Sequence, residues 1–451
     1  MGKVLCLAVV LGGAAFAVDI LGHGAGGWAC RGKRVSALIR DLASGDYQVR
    51  DQAAEAIQAL GPEAAPELIR ALYWRETPFT KPLGALCRAL PFIKFEPGNI
   101  PSIQAKAAEQ LGIIGAKDQN AIVALIGALR ETDGALLTEI QRALRRCGLA
   151  SLPFLTQALG HHHARVRAGA AEVLRDFGPQ AKMAVPALTR ALKDSSERVR
   201  CRAAQALGAS GGDETEALRG LERALEDEVA AVRAAAAEAL GRWGRGARSA
   251  LPLLTKKLSD DDTVVRVAAA RSLWLIDDEV DRVVPVLIDA LNDRSVGWQA
   301  PFVLGEIGPQ ASGAIPALVE ALKRERVPRP LRTPPSAALA LGLIGPAAVP
   351  DLIATLHDDQ ASVRTGAAIA LGFIGLPAKD AVPMLITLLK DKELEVREAS
   401  ALSLGAIGPE TKEIIPALKE LIGDEDIFVS NAAAAALRKI DPAAAAEAGL
   451  E

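Results

Sequence analysis

His161-His162-His163 is the one histidine cluster in a chain with five His. Imidazoles bind metals and carry protons near neutral pH. Three consecutive residues on a short loop cannot all converge on one ion, so the run predicts an exposed loop, with weak metal binding as the lesser reading. Cys6, Cys30, Cys87, Cys147 and Cys201 lie far apart with no Cys-x-x-Cys pair, so neither a disulfide framework nor a zinc knuckle is expected. Asp260-Asp261-Asp262 and Asp358-Asp359 are adjacent acids at the start of apolar-periodic segments, where a helix dipole favours them, and they do not read as a catalytic pair. The chain has no phosphate loop, no Gly-x-Ser-x-Gly elbow and no Cys with an evident His partner. The expectation is a protein without catalytic residues, metal or cofactor.

Arginine is the charged residue that recurs by rule. Val166-Arg167, Val199-Arg200, Val232-Arg233 and Val265-Arg266 repeat every 33 residues, and the pair returns at Val363-Arg364 and Val396-Arg397. Such a period marks a solenoid, in which each unit buries its apolar face against its neighbours. A repeat array grows its core lengthwise, so 451 residues predict one long domain. Half the residues are hydrophobic but only 4% aromatic, which points to Ala- and Leu-packed helices without strands. The 52 basic residues are interspersed with 55 acidic ones at a net charge of -3, which disfavours nucleic acid binding across the surface.

Residues 184 to 211 show how one unit is built. Pro186 stands in a first helical turn, where its missing N–H costs nothing, and Leu188 and Leu192 follow at helical spacing. Asp194-Ser195-Ser196 offers oxygens to cap a second helix, on which Val199, Ala203, Leu207 and Ser210 share one face. Gly211 ends it, and a Gly holds that place in ten units, Gly115 among them, with Asp277 and Asp441 as exceptions. A second Gly follows the Leu in seven units (Gly112 and Gly342 are two), where a neighbouring helix should come close. The pattern predicts about twelve helix pairs, A and B, between residues 34 and 442.

The loop Asp, Val-Arg and Ala-Ala-x-Ala-Leu-Gly phrases resemble HEAT repeats, and more closely the short HEAT-like repeats of the phycobilin lyase type. Ankyrin shares the period, but its Thr-Pro-Leu-His phrase is absent. The resemblance implies an all-α α-α superhelix that acts as a protein-binding scaffold. It also implies an arginine ladder (Arg50, Arg167, Arg200, Arg233, Arg266, Arg364 and Arg397) bonded to loop aspartates of the same or an adjacent unit, and B helices on the concave face. An anion-binding role for these arginines is the minor reading. The lyase likeness implies a tetrapyrrole-handling alternative, although no residue here can be assigned to bilin transfer. Backbone-only nucleic acid binding, known from HEAT-like glycosylases, is a third reading that the Glu-rich B positions oppose. HEAT-like metal hydroxylases use His-Glu pairs, and no His here precedes a Glu.

Partner chemistry is sought where the repeat breaks. The sixth residue after the Val lies about 150° from the core stripe of helix B. It is Glu55, Glu109, Arg142, Glu172, Gln205, Glu238 and Arg271 in seven units, then Phe302, Leu339, Ile369 and Leu402 in the next four. With Leu343, Phe373 and Trp298 on the same side, the switch predicts an exposed apolar patch for a protein partner; the competing reading covers these residues within the array. Units eight and nine lose the Val-Arg phrase, and beside them Arg326, Arg329 and Arg332 lie in a Pro-rich loop suited to an anionic group. The insertion 73–100 carries Tyr73, Trp74, Phe79, Phe92 and Phe95, with a short helix possible over Leu83 to Leu90. Trp74, Phe79, Phe92 and Phe95 read as a second contact or as a locally buried element.

Met1-Gly2-Lys3, the apolar run Val4 to Val18 and Ala15-Phe16-Ala17 fit a signal peptide over 1–17, which predicts an exported, extracytoplasmic protein. An uncleaved anchor is the second reading, and it would be the chain's one membrane attachment. Without either, the protein is cytoplasmic. Residues 18–33 read as a Gly-rich linker and 443–451 as a tail.

Overall fold

The structure is a computed structural model, and it describes residues 29–30, 33–74, 100–130, 134–211, 215–293, 296–325, 331, 334–408 and 413–450. The signal peptide, Leu83 to Leu90, Phe79, Phe92, Phe95, Arg326, Arg329 and Arg332 lie outside the described residues. Ahead of the helices, Ala29–Cys30 (β1) pair antiparallel with Lys33–Arg34 (β2) in one short ladder.

Helices follow in pairs, odd-numbered A and even-numbered B. In the first unit of the chain the A helices are α1 (Val35–Asp41), α3 (Ala65–Leu72), α5 (Gln119–Ala128), α7 (Leu152–Ala158) and α9 (Val185–Ala191). Their B partners are α2 (Tyr47–Leu60), α4 (Ile100–Ile114), α6 (Ala135–Arg146), α8 (Ala164–Asp176) and α10 (Glu197–Ser210). In the second, the A helices are α11 (Thr215–Ala224), α13 (Leu251–Lys257), α15 (Val280–Ala290), α17 (Ile315–Leu322), α19 (Val349–Thr355), α21 (Val382–Leu388) and α23 (Ile414–Leu421). Their B partners are α12 (Ala230–Trp243), α14 (Thr263–Asp277), α16 (Gln299–Ile307), α18 (Ser336–Ile344), α20 (Ala361–Ile374), α22 (Leu394–Ile407) and α24 (Ile427–Ile440). The expected tail instead forms α25 (Pro442–Glu447), whose Ala444 and Ala445 bury against Leu437.

Contacts divide the chain into two compact units, Met1–Gly211 and Gly212–Glu451. In an array each repeat touches only its neighbours, so no central core binds distant repeats together.

The repeated phrase is explained by burial. The Val of each Val-Arg pair and the Leu before the second Gly point between A and B helices, and Val199, Val363, Leu207 and Leu371 are fully buried. Prolines fall in the first turn of most A helices, although Pro285 lies inside α15. Nine of the ten end glycines have positive φ; Gly375, at φ 71° and ψ −140°, holds a conformation that a Cβ would strain. Gly115 departs from the expectation, because its place is made by crowding: a Cβ there would collide with the Cys147 thiol of the next B helix. Where α14 lacks a Gly, Asp278 takes the left-handed cap at φ 55°. Of Asp194-Ser195-Ser196, expected to supply the cap of α10, Ser196 takes the N-cap place without a side-chain cap bond, and its N–H donates to Asp194 Oδ1 at 2.9 Å.

That aspartate belongs to the ladder. Arg167 donates to Asp194, 27 residues ahead, through two bonds of 2.7 Å. The pattern recurs for Arg233 with Asp260 at 2.9 and 2.7 Å, Arg364 with Asp391 at 2.9 Å twice, and Arg397 with Asp424 at 2.8 and 3.0 Å. The third guanidinium nitrogen turns back to its own loop; Arg200 Nη1, for example, donates to the carbonyls of Asp194 and Ser195 at 3.1 and 3.4 Å. Each arginine thus fixes its own A–B loop, and Arg167, Arg233, Arg364 and Arg397 also tie it to the next one by paired charge-assisted bonds. Arg266 works differently. It donates to Thr263 Oγ1 at 2.9 Å, and Thr263 donates to Asp293.

Candidate functional site

Within each unit most consecutive B helices pack directly on one another, and Gly112, Gly241, Gly305, Gly342, Gly372 and Gly405 stand where they come close. A Cβ on Gly405 would come within 2.8 Å of the Ala436 backbone, and one on Gly372 within 3.1 Å of the Ser403 backbone. Ser403 Oγ also donates across the joint to the Ala368 carbonyl at 2.6 Å, as Ser272 does to Ala237 at 2.7 Å. In α16 and α18 the same notches receive large side chains from the next B helix. Leu343 leans over Gly305, and Phe373 lies over Gly342.

This packing leaves a row of large apolar groups open on α16 to α22. Trp298 is 61% exposed, Phe302 40%, Leu343 51%, Phe373 52% and Leu402 41%. Leu339 and Ile369 are half-buried, less open than their angle from the core stripe predicts. The angle measures distance from the A helix alone, whereas a B helix is also flanked by B helices on either side. The upstream edge is polar. Arg271 donates to Glu306 through bonds of 2.7 and 2.9 Å, and its guanidinium lies 6.0 Å from the centre of the Phe302 ring. Trp298 meets Phe302 edge to face at 5.5 Å. The hydrogen bonds that Arg271 donates to Glu306 raise its pKa further. Sequence reasoning missed Leu275, 38% exposed and one turn beyond Arg271, although the register that found Leu343 and Phe373 points to it.

Beside the row, Glu325 takes over from the lost Val-Arg phrase. Its carboxylate accepts from Ser336 Oγ at 2.5 Å and from the Ala337 N–H at 3.2 Å, which closes the start of α18. Arg324 reaches the preceding loop, donating to Leu291 O at 3.3 Å and Asn292 Oδ1 at 3.0 Å.

The insertion residues belong to the other unit. Tyr73 donates its hydroxyl to Ala124 O at 2.7 Å, and its burial raises the phenol pKa. Trp74 is half-buried, and Gln104 Nε2 donates to its carbonyl at 2.9 Å. The described part of this segment is therefore anchored to α4 and α5.

Groups with potential chemistry are engaged structurally. Asp260 is in the ladder, while Asp262 accepts the N–H groups of Val264 and Val265 at 2.8 and 3.4 Å. Cys147 is buried, which pushes its thiol pKa up to about 11. Among the described residues, no group of three or more His, Cys, Asp or Glu could hold a metal.

Models of HEAT repeats match residues 152–241, 218–300, 251–333, 335–404 and 382–448. The chain belongs to the HEAT-repeat family. The match is to HEAT repeats at large and does not single out the phycobilin lyase kind. Among solved structures this HEAT-repeat chain is similar to yeast importin-beta (Kap95p), at 14% identity and a TM-score of 0.59, over 92% of this chain and 62% of that one. A second importin-beta structure, in an ammonium sulfate condition, gives 15% identity and a TM-score of 0.53 over 90% and 55%. The chain thus spans little more than half the length of these proteins, and at such identity the likeness is one of fold. No curated protein matches the sequence.

Proposed function

We propose that this HEAT-repeat chain is a non-catalytic scaffold that docks another protein on the open face of α16, α18, α20 and α22. The observation that carries the reading is the row from Trp298 to Leu402, five large apolar side chains left 40 to 61% exposed on successive helices. An exposed apolar area that is contiguous and has a polar rim, here Arg271 and Glu306, is typical of partner sites. By family resemblance this face is the concave one. Arg326, Arg329 and Arg332 would add a cationic edge, and Phe79, Phe92 and Phe95 with Trp74 a second contact. Both additions rest on the sequence. Export through residues 1–17 is part of the proposal, and an intact mass beginning near Val18 in natively expressed protein tests it.

The decisive experiment is affinity capture from native extract with wild type and a Phe302→Glu, Leu402→Glu double variant. The variant should keep its circular dichroism and lose the captured protein, whereas Glu172→Leu, Glu238→Leu should retain it. Equal capture by the folded double variant overturns the reading. If it unfolds, Trp298→Ala, at the most exposed position, decides in its place.

A further inference from the structure

The open face of the second unit is patterned in pairs. Each B helix from α12 to α24 presents two side chains four residues apart, one above the other on the same side. On α18 and α20 these are Leu339 with Leu343 and Ile369 with Phe373. The pattern starts at Glu238 and Arg242 on α12, passes Arg271 and Leu275 on α14, and ends at Ala435 and Lys439 on α24.

Charge is confined to the two ends. α18 contains no charged residue, and those of α20 and α22 lie within the first five residues of each helix. Upstream, Glu306 accepts two bonds from Arg271, and Glu238 adds its charge to the same guanidinium. Arg242 and Lys439 are exposed and make no ion pair among the described residues. The carboxylates are thus answered, and the two outermost cations are not.

Between those ends the face offers nothing to a peptide backbone. Main-chain groups in mid-helix are spent on their own hydrogen bonds. α18, α20 and α22 contain no Asn or Gln, and Ser403, next to Leu402, is buried and donates to the Ala368 carbonyl at 2.6 Å. An extended segment laid here would bury N–H and C=O groups without partners, which is costly. A helix arrives with its backbone already bonded and buries only side chains.

We infer that the occupant of this row is an amphipathic α-helix of a partner protein, with an aliphatic stripe along its middle and carboxylates at both ends. It lies across the B helices, its stripe on the pairs from Leu275 to Leu402 and its acidic ends beside Arg242 and Lys439. Five B helices at about 8 to 10 Å between axes span about 32 to 40 Å, which about 21 to 27 helical residues cover. This occupant presupposes the docking face proposed above and specifies its chemistry.

The test is fluorescence anisotropy of the full chain with three synthetic peptides of about 24 residues. The first carries Leu at i, i+3, i+4 and i+7 with Glu at both ends. The second has Lys at its ends, and the third is the first with a central pair of prolines. Saturable binding of the first is expected, about tenfold weaker binding of the second and none of the third. Arg242→Glu, Lys439→Glu, both on the surface, should keep the fold and reverse the preference between the first two. If that double variant does not fold, Lys439→Glu alone decides. No binding of the first peptide, equal binding of all three, or a preference unmoved by charge reversal overturns the inference. So does row-dependent binding to phosphatidylserine vesicles, or row-dependent self-association in sedimentation velocity, when the first peptide does not bind; these assign the face to a membrane or to a second copy. Where the peptides fail but the Phe302→Glu, Leu402→Glu chain still loses its native partner, the docking face stands and only the helix is removed; unaltered capture removes both.

Discussion

Phe373 of α20 lies across the bare backbone of Gly342 in α18, so close that a Cβ on the glycine would collide with Phe373 Cβ and stand 3.3 Å from its Cγ. The glycine is the seat that lets an aromatic ring lie along the face while remaining half open.

Gly342→Ala is therefore expected to destabilise. In an ordinary helix the change would gain about 1 kcal/mol, but the collision here is with the root of a side chain, which cannot swing aside, and overpacking costs about 1 to 3 kcal/mol. Gly405→Ala, against the Ala436 backbone, should behave alike. Thermal melts compared with Gly313→Ala, where a Cβ meets nothing, check the sign.

Arg233→Ala and Arg364→Ala should each cost about 1 to 3 kcal/mol, since each leaves a largely buried loop carboxylate without its two donors. Lysine should rescue poorly, because a single ammonium cannot form the parallel pair. Urea denaturation of the four variants is the measurement. An unchanged midpoint for Arg364→Ala would remove the ladder from the list of stabilising features.

Acid should loosen the array through the same pairs. Hydrogen bonds from Arg397, partly opposed by burial, hold the Asp424 carboxyl below its ordinary range. At Asp194 and Asp260 burial pulls upward, but the bonds from Arg167 and Arg233 prevail and the net shift is down. A carboxyl whose folded pKa is depressed contributes stability that is complete above its unfolded pKa, about 4, and is lost as pH falls through the lower folded value. Melting temperature should drop over that window in wild type, and less steeply in Arg397→Ala.

Thiol labelling should separate Cys147 from Cys201. Cys147, buried and with its pKa at about 11, should resist iodoacetamide at pH 8 until the chain is denatured, whereas partly exposed Cys201 reacts first. Peptide mapping after timed quenching reads the order.

Much of this protein is local, and the sequence by itself determined it. Helical periodicity fixed which residues face inward, so Val199, Leu207 and their sisters are buried as the repeat requires. The same register located the change from polar to apolar at Phe302 and Leu402, and the glycines marked where helices meet. What depends on neighbours was decided only by the tertiary structure. Arg233 could have bonded to the loop aspartate of its own or an adjacent unit, Asp227 or Asp260, and the stacking of units puts it on Asp260 ahead. Leu339 and Leu343 sit one helical turn apart with similar chemistry, yet the second is the more open, because consecutive B helices flank the first and Gly305 lets the second spread. His161 reads in the sequence as a break in the pattern, and only its bond to the His163 N–H shows that it fills an aspartate's place without the charge. A side chain's face is set by angle along one helix, whereas its exposure and partner are set by the distance to the next helix, which the periodicity does not contain.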